Sequence, residues 1–182
     1  MTRARAVSFA LGALMLVVGV RAVASAGLPE ARAKFTEVKW PFLLDQWGTG
    51  HAYRCAADAC GVEVNVFVRA KIGFCNCATG VSDDAELDRV GDVSLISDKF
   101  SGIRESEPVK VGWMSGRSRL FDVAPPFAPP RAALAVAIND KCDVIVATVT
   151  SGRDVPPEAR QAALAFLNTD TVLNWARREL GL

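Results

Sequence analysis

Between residues 62 and 74 the chain alternates with a period of two. Val62, Val64, Val66, Val68, Ala70, Ile72 and Phe74 hold the even positions, against Glu63, Asn65, Arg69 and Lys71 on the odd ones. Phe67 is the one exposed misfit in the polar row. Successive side chains of a strand point to opposite faces, so this pattern predicts a long, half-buried strand of an antiparallel sheet. A second strand pair is expected over 109–113 and 119–123, with Ser115, Gly116, Arg117 and Ser118 as turn chemistry between them. A third pair follows over 132–138 and 142–150, with Asn139, Asp140 and Lys141 as its turn. Residues 144–149 are apolar on both faces, as a central strand requires. Residues 124–130 contain four prolines, which cannot join a ladder, and read as a surface loop.

The helical signals lie elsewhere. Ser82 is placed to cap a helix starting at Asp83, whose acids Asp83, Asp84 and Glu86 suit the positive end of the helix dipole. Leu87 and Val90, three apart, would face the sheet. Near the C-terminus, Pro156 and Pro157 fit a first turn, and Ala159, Ala162, Ala163, Phe166 and Leu167 recur at helical spacing. Asn168, Thr169 and Asp170 mark a break; Val172, Leu173, Ala176 and Leu180 form a second stripe that Gly181 closes. There is no internal repeat. The expectation is one α+β domain, a mainly antiparallel sheet of about five to seven strands, with a short central helix and C-terminal helices on one face.

Composition changes this picture first at the N-terminus. Arg3 and Arg5 precede a run of 15 residues without charge, 6–20, and Ala24 and Ala26 then present an Ala-x-Ala site. These are the parts of a secretory signal peptide, expected to span residues 1–26, and the run is short of the ~20 residues a bilayer-spanning helix needs. Residues 27–182 would form the mature domain, with 27–40 as an extended N-terminal arm. Removal of Arg3, Arg5 and Arg21 from the 21 basic residues leaves 18 against 20 acidic ones, a formal charge of −2. With no basic run, nucleic acid is excluded as a partner, and no second apolar stretch of membrane length follows. A periplasmic or secreted location is implied, and no cofactor motif is present.

All five cysteines, Cys55, Cys60, Cys75, Cys77 and Cys142, lie in the mature part. An oxidising compartment makes disulfides their default fate, and an odd number leaves one thiol over. Cys55 and Cys60 flank a four-residue loop that brings them within bridging distance. A second bridge would join Cys142 to either Cys75 or Cys77, because a bond within Cys75-Asn76-Cys77 closes a strained ring. If the long strand continues, or is bulged at Gly73, Cys75 and Cys77 share a side. That arrangement suits chelation or thiol exchange, so Cys75, Cys77 and His51 form an alternative zinc or copper ligand set.

Other candidates are weaker. His51, the only histidine, has no nucleophile at a recognisable spacing; "GWMSG" at 112–116 is not a nucleophile elbow. Asp83, Asp84, Glu86, Asp88 and Asp92 do not follow calcium-loop spacing and read as helix N-terminal acids and a solvated face. Trp40, Phe42 and Trp47 either line a ligand groove or pack as an arm on the sheet. No catalytic set assembles from these motifs. The sequence points to an exported, disulfide-stiffened binding or accessory module for a protein or small-molecule partner, with thiol or metal handling through Cys75 and Cys77 as the rival.

Overall fold

The structure, a computed structural model, describes residues 34–182. The signal peptide read over 1–26, and 27–33 of the arm, lie outside the described residues. Among these residues eight strands form one antiparallel sheet: β1 (Thr36–Val38), β2 (His51–Cys55), β3 (Val64–Lys71), β4 (Phe100–Gly102), β5 (Glu107–Val111), β6 (Met114–Val123), β7 (Arg131–Asp140) and β8 (Asp143–Thr150). Their order is β1-β2-β3-β8-β7-β6-β4, with β5 lying beside the first half of β6. The count exceeds the expected five to seven. Two of the strands, β1 and β4, have three residues each, too few for alternation to show.

Among the described residues four helices accompany the sheet: α1 (Ala57–Cys60), α2 (Asp84–Val90), α3 (Pro157–Leu167) and α4 (Asp170–Glu179). They do not share one face. The even positions of β7, Leu134, Val136 and Ile138, pack with Ile145, Ala147 and Val149 of β8 against Ala163, Phe166 and Leu167 of α3 and Val172 and Trp175 of α4. The odd positions, Ala133, Ala135 and Ala137, pack with Val144 and Val146 against Leu87 and Val90 of α2 and Val93 of the following 3-10 turn. The sheet is therefore buried on both sides, which explains why β7 and β8 are almost uniformly apolar. The alanines of the second face leave room for the side chains of α2, while the larger residues of the first face meet α3 and α4.

Several boundaries shift for local reasons. The long strand ends at Lys71, and Ile72 and Gly73 turn the chain; the Gly73 N–H donates to Asp143 Oδ1 at 2.7 Å. The hairpin of β5 and β6 turns at Gly112 and Trp113, between the paired residues Val111 and Met114. Gly112 has φ +57°, the conformation a type II′ turn asks of its first central residue. Ser115 to Ser118, read as a turn, lies inside β6 instead. Helix α2 is capped by Asp83, whose carboxylate accepts from the Glu86 N–H, and not by Ser82.

The β7–β8 turn comprises Lys141 and Cys142, one residue later than expected. Lys141 is the only described non-glycine residue with positive φ, at 54°. A left-handed conformation costs an L-residue about 1–2 kcal/mol, and Gly escapes that cost at some loss of unfolded-chain entropy. The Lys141→Gly variant should therefore gain about 0.5–1 kcal/mol in urea unfolding of the oxidised protein; an unchanged or lower midpoint refutes the strain assigned to this turn.

Candidate functional site

The chain between β1 and β2, residues 39–50, crosses the second face of the sheet as a strap over β3. On that face β3 presents Phe67, Arg69 and Lys71. Phe67, read as exposed, is half-buried beneath Phe42 and Trp40, whose rings stand edge-on to it at 4.8 Å and 6.3 Å. The Trp40 ring lies 6.0 Å from the Arg69 guanidinium carbon. Trp47 and Phe74 flank the Lys71 ammonium at 5.6 Å and 5.4 Å, and pack on each other at 4.5 Å. Trp40, Phe42 and Trp47 thus pack against Phe67, Phe74 and the cations of β3. Gly50 allows the strap this close approach: a Cβ there would collide with the Val68 carbonyl oxygen and meet Trp40 at 2.7 Å.

Beneath the strap lies a buried ionic cluster. The side chains of Arg69, Lys71 and Asp92 are only 4%, 5% and 5% exposed. Arg69 donates through Nε to Asp92 Oδ2 at 2.5 Å and through its Nη2 to Oδ1 at 2.9 Å, a bidentate pair. Its other terminal nitrogen donates to Asp45 Oδ1 at 2.7 Å and to the Gly48 carbonyl at 3.4 Å. Lys71 Nζ lies 2.7 Å from Asp92 Oδ1 and donates to the Val90 carbonyl at 2.7 Å. Two cations on one strand thereby meet one buried carboxylate and a second carried on the strap.

The titration behaviour follows from this geometry. Burial pushes the Lys71 ammonium below its usual range even though Asp92 opposes the shift. For Arg69 burial acts downward, but the hydrogen bonds to Asp92 and Asp45 outweigh it, and the guanidinium is held charged. The Arg69 hydrogen bond holds the Asp45 carboxyl below its ordinary value, assisted by the Trp47 N–H and opposed by partial burial. Every polar group in the cluster is matched to another, so it fastens the strap and the α2 exit to β3.

The acidic run of α2 is likewise consumed locally. Asp84 accepts from the Ser106 N–H at 2.9 Å and from its hydroxyl, while Arg119 pairs with Asp88 at 2.8 Å. Glu86 accepts from Arg89 and from the Asn76 N–H at 2.8 Å. Asp92, grouped with these acids in the sequence, is the buried partner of β3 and not part of a solvated face.

The sulfurs divide into two bridges and a thiol. Cys55 bonds Cys60, closing a loop around α1, and Cys77 bonds Cys142 across a separation of 65 residues. In a chain-entropy account these closures contribute about 2 and about 4 kcal/mol respectively. Cys75 is free and 6% exposed, packed among Val81, Val144 and the α2 residues. Beyond Gly73 the backbone is irregular, and both cysteines reach the β7–β8 turn, Cys75 buried with its thiol on the Lys141 carbonyl and Cys77 exposed and bonded to Cys142. His51 stands apart on β2, with Nδ1 2.6 Å from Glu37 Oε1 and its ring against Trp175. The Cys75, Cys77 and His51 ligand set is therefore not assembled, and among the described residues no group of three His, Cys, Asp or Glu side chains converges as a metal site. Nor is any described helix long and apolar enough to cross a membrane.

Reading the strand as half-exposed missed the ionic cluster. The available signal was two cations, Arg69 and Lys71, on a strand otherwise rich in valine, with tryptophans upstream and acids downstream. Neither the family models nor the curated proteins searched contain a match to this chain.

Two outcomes test the cluster. Asp92→Asn keeps the shape but removes Lys71's only carboxylate partner among the described residues and leaves Arg69 with Asp45 alone, and should cost about 3–5 kcal/mol in urea unfolding; the apolar triple variant Arg69→Met, Lys71→Met, Asp92→Leu should be distinctly less harmful. Equal loss in both proteins would contradict the ionic reading. For Asp45 the folded state binds its proton less readily than the unfolded chain, so its contribution is complete above about pH 4 and fades as pH falls toward the depressed folded value. A tryptophan-fluorescence acid titration should show this loss, and Asp45→Asn should abolish it.

Proposed function

We propose that the chain works outside the cytoplasm, periplasmic or secreted, as a small disulfide-stiffened, non-catalytic binding or accessory module. The observation that carries this reading is the pair of bridges, Cys55–Cys60 and Cys77–Cys142, which are compatible with an exported, stabilised protein. It is supported by the basic, apolar and Ala-x-Ala parts of the N-terminal sequence. A second support is the use made of the ionisable groups: Arg69, Lys71 and Asp92 neutralise one another under the strap, and Asp84, Asp88 and Arg119 do so at the edge of α2. Groups spent in this way hold loops to the sheet and are not presented to a cleft.

The test is expression of the full chain in a bacterium followed by fractionation and intact mass measurement under non-reducing, alkylating conditions. The exported fraction should lack residues 1–26 and carry two disulfides and a single alkylated thiol. An intact, fully reduced chain confined to the cytosol overturns the reading. Exported protein with Cys75 and Cys77 both free, binding Zn(II) or Cu(I) at fixed stoichiometry, replaces it with metal handling.

A further inference from the structure

Three sulfurs gather where the segment after β3 meets the β7–β8 turn. The Cys75 N–H donates to the Cys142 carbonyl at 3.0 Å, and the Cys75 thiol donates to the Lys141 carbonyl at 3.2 Å. The thiol thus abuts the peptide that carries Cys142. The two residues are therefore direct backbone neighbours at this junction. Cys142 is bonded to Cys77, with their Cα atoms 4.2 Å apart. It therefore has two cysteines as neighbours, one bonded to it through sulfur and one hydrogen-bonded to its backbone. Their surroundings are opposite: Cys75 is buried, whereas Cys77 is exposed.

We propose that the Cys77–Cys142 bridge is exchange-competent, with Cys75 as its internal attacking thiol, and that migration to Cys75–Cys142 turns Cys77 into a surface site for mixed-disulfide formation. The step balances within the chain. Cys75 gives its proton to water, its thiolate attacks the Cys142 sulfur, and the electron pair of the old S–S bond leaves on Cys77, which takes up a proton. One disulfide and one thiol exist before and after, so no oxidant is consumed. Freed Cys77 can then attack a soluble disulfide R–S–S–R, forming Cys77–S–S–R and releasing one R–S⁻. The ligand class is accordingly a disulfide, small or carried on a protein.

The surroundings set the rate. Burial, then the carboxylates of Glu86 and Asp143, push the Cys75 thiol up, against the opposing charge of Arg89. The attacking thiolate is scarce at neutral pH and grows as pH rises, so exchange is slow in the resting protein and accelerates in alkali. Movement of the bridge exchanges a thiol packed against Val81 and Val144 for one in solvent, in a segment otherwise tied down by Asn76, whose side chain accepts from the Ala78 and Thr79 N–H groups.

The purified oxidised protein should be treated with iodoacetamide without denaturant at several pH values, digested without reduction, and the label located by fragment ions on either side of Asn76. The expected result is label on Cys77 with Cys75 linked to Cys142, forming about tenfold faster per pH unit between neutrality and the thiol's raised pKa. Label confined to Cys75, or none before unfolding at any pH, overturns the proposal. Cys77→Ser, oxidised with a glutathione buffer, provides a second arm. It should form a Cys75–Cys142 bridge with no thiol remaining, and recovery of both as free or glutathionylated cysteines overturns the proposal equally. Cys75→Ser should abolish native labelling of Cys77; persistent labelling there contradicts the assigned attacker.

Discussion

A strand buried on both faces has no place for an unpaired charge, and β3 carries two. Its even positions lie in the apolar layer against the C-terminal helices, while Arg69 and Lys71 point into the opposite layer with almost no access to water. Desolvating one such group costs several kcal/mol unless a carboxylate meets it at hydrogen-bonding distance. Asp92 meets both, and its position fixes much else. It must lie just past α2, so the helix sits over the alanines of β7; the strap must then close over the remaining guanidinium edge, and Asp45 supplies the charge there.

The aromatic cover follows from the same requirement. Trp40 and Trp47 shield the cations from water while offering ring faces that attract positive charge. The strap turns through Asp45 and Gly48, and Gly50 lets it rejoin the sheet as β2 at van der Waals distance from β3. One N-terminal segment thereby performs three tasks: it adds edge strand β1, roofs the charged face and returns as β2. Next to the strap, the Cys77–Cys142 bridge and the Cys75 hydrogen bonds attach the segment after β3 to the neighbouring β7–β8 turn. The irregular stretch from Gly73 to Val81 is held by sulfur and side-chain hydrogen bonds where no ladder is available.

Local patterns in the chain were enough to specify most of the elements. The valine alternation of β3, the apolar runs of β7 and β8, and the apolar stripes of α3 and α4 each depend on neighbours within a few residues, and burial on a sheet face rewards them directly. The nearness of Cys55 to Cys60 is similarly a matter of a short loop. Strands of three residues were not legible, since β1 and β4 owe their conformation to the ladders of β2 and β6. The turns shifted by a few residues because pairing register, set across the sheet, overrode local turn chemistry at Ser115 to Ser118 and at Asn139.

The candidate site belongs to the second category. By itself the sequence determined that an odd number of sulfurs would leave one over, that an antiparallel sheet would form, and that amphipathic helices would follow it. Only the tertiary structure decided that Cys142 would take Cys77 and bury Cys75, that helices would cover both faces, and that Arg69 and Lys71 would face inward to Asp92. The reason lies in range: alternation and helical spacing are written over a few residues, whereas the choice of a partner for a buried charge or a sulfur depends on segments about twenty to seventy residues apart, brought together by the closing of the sheet.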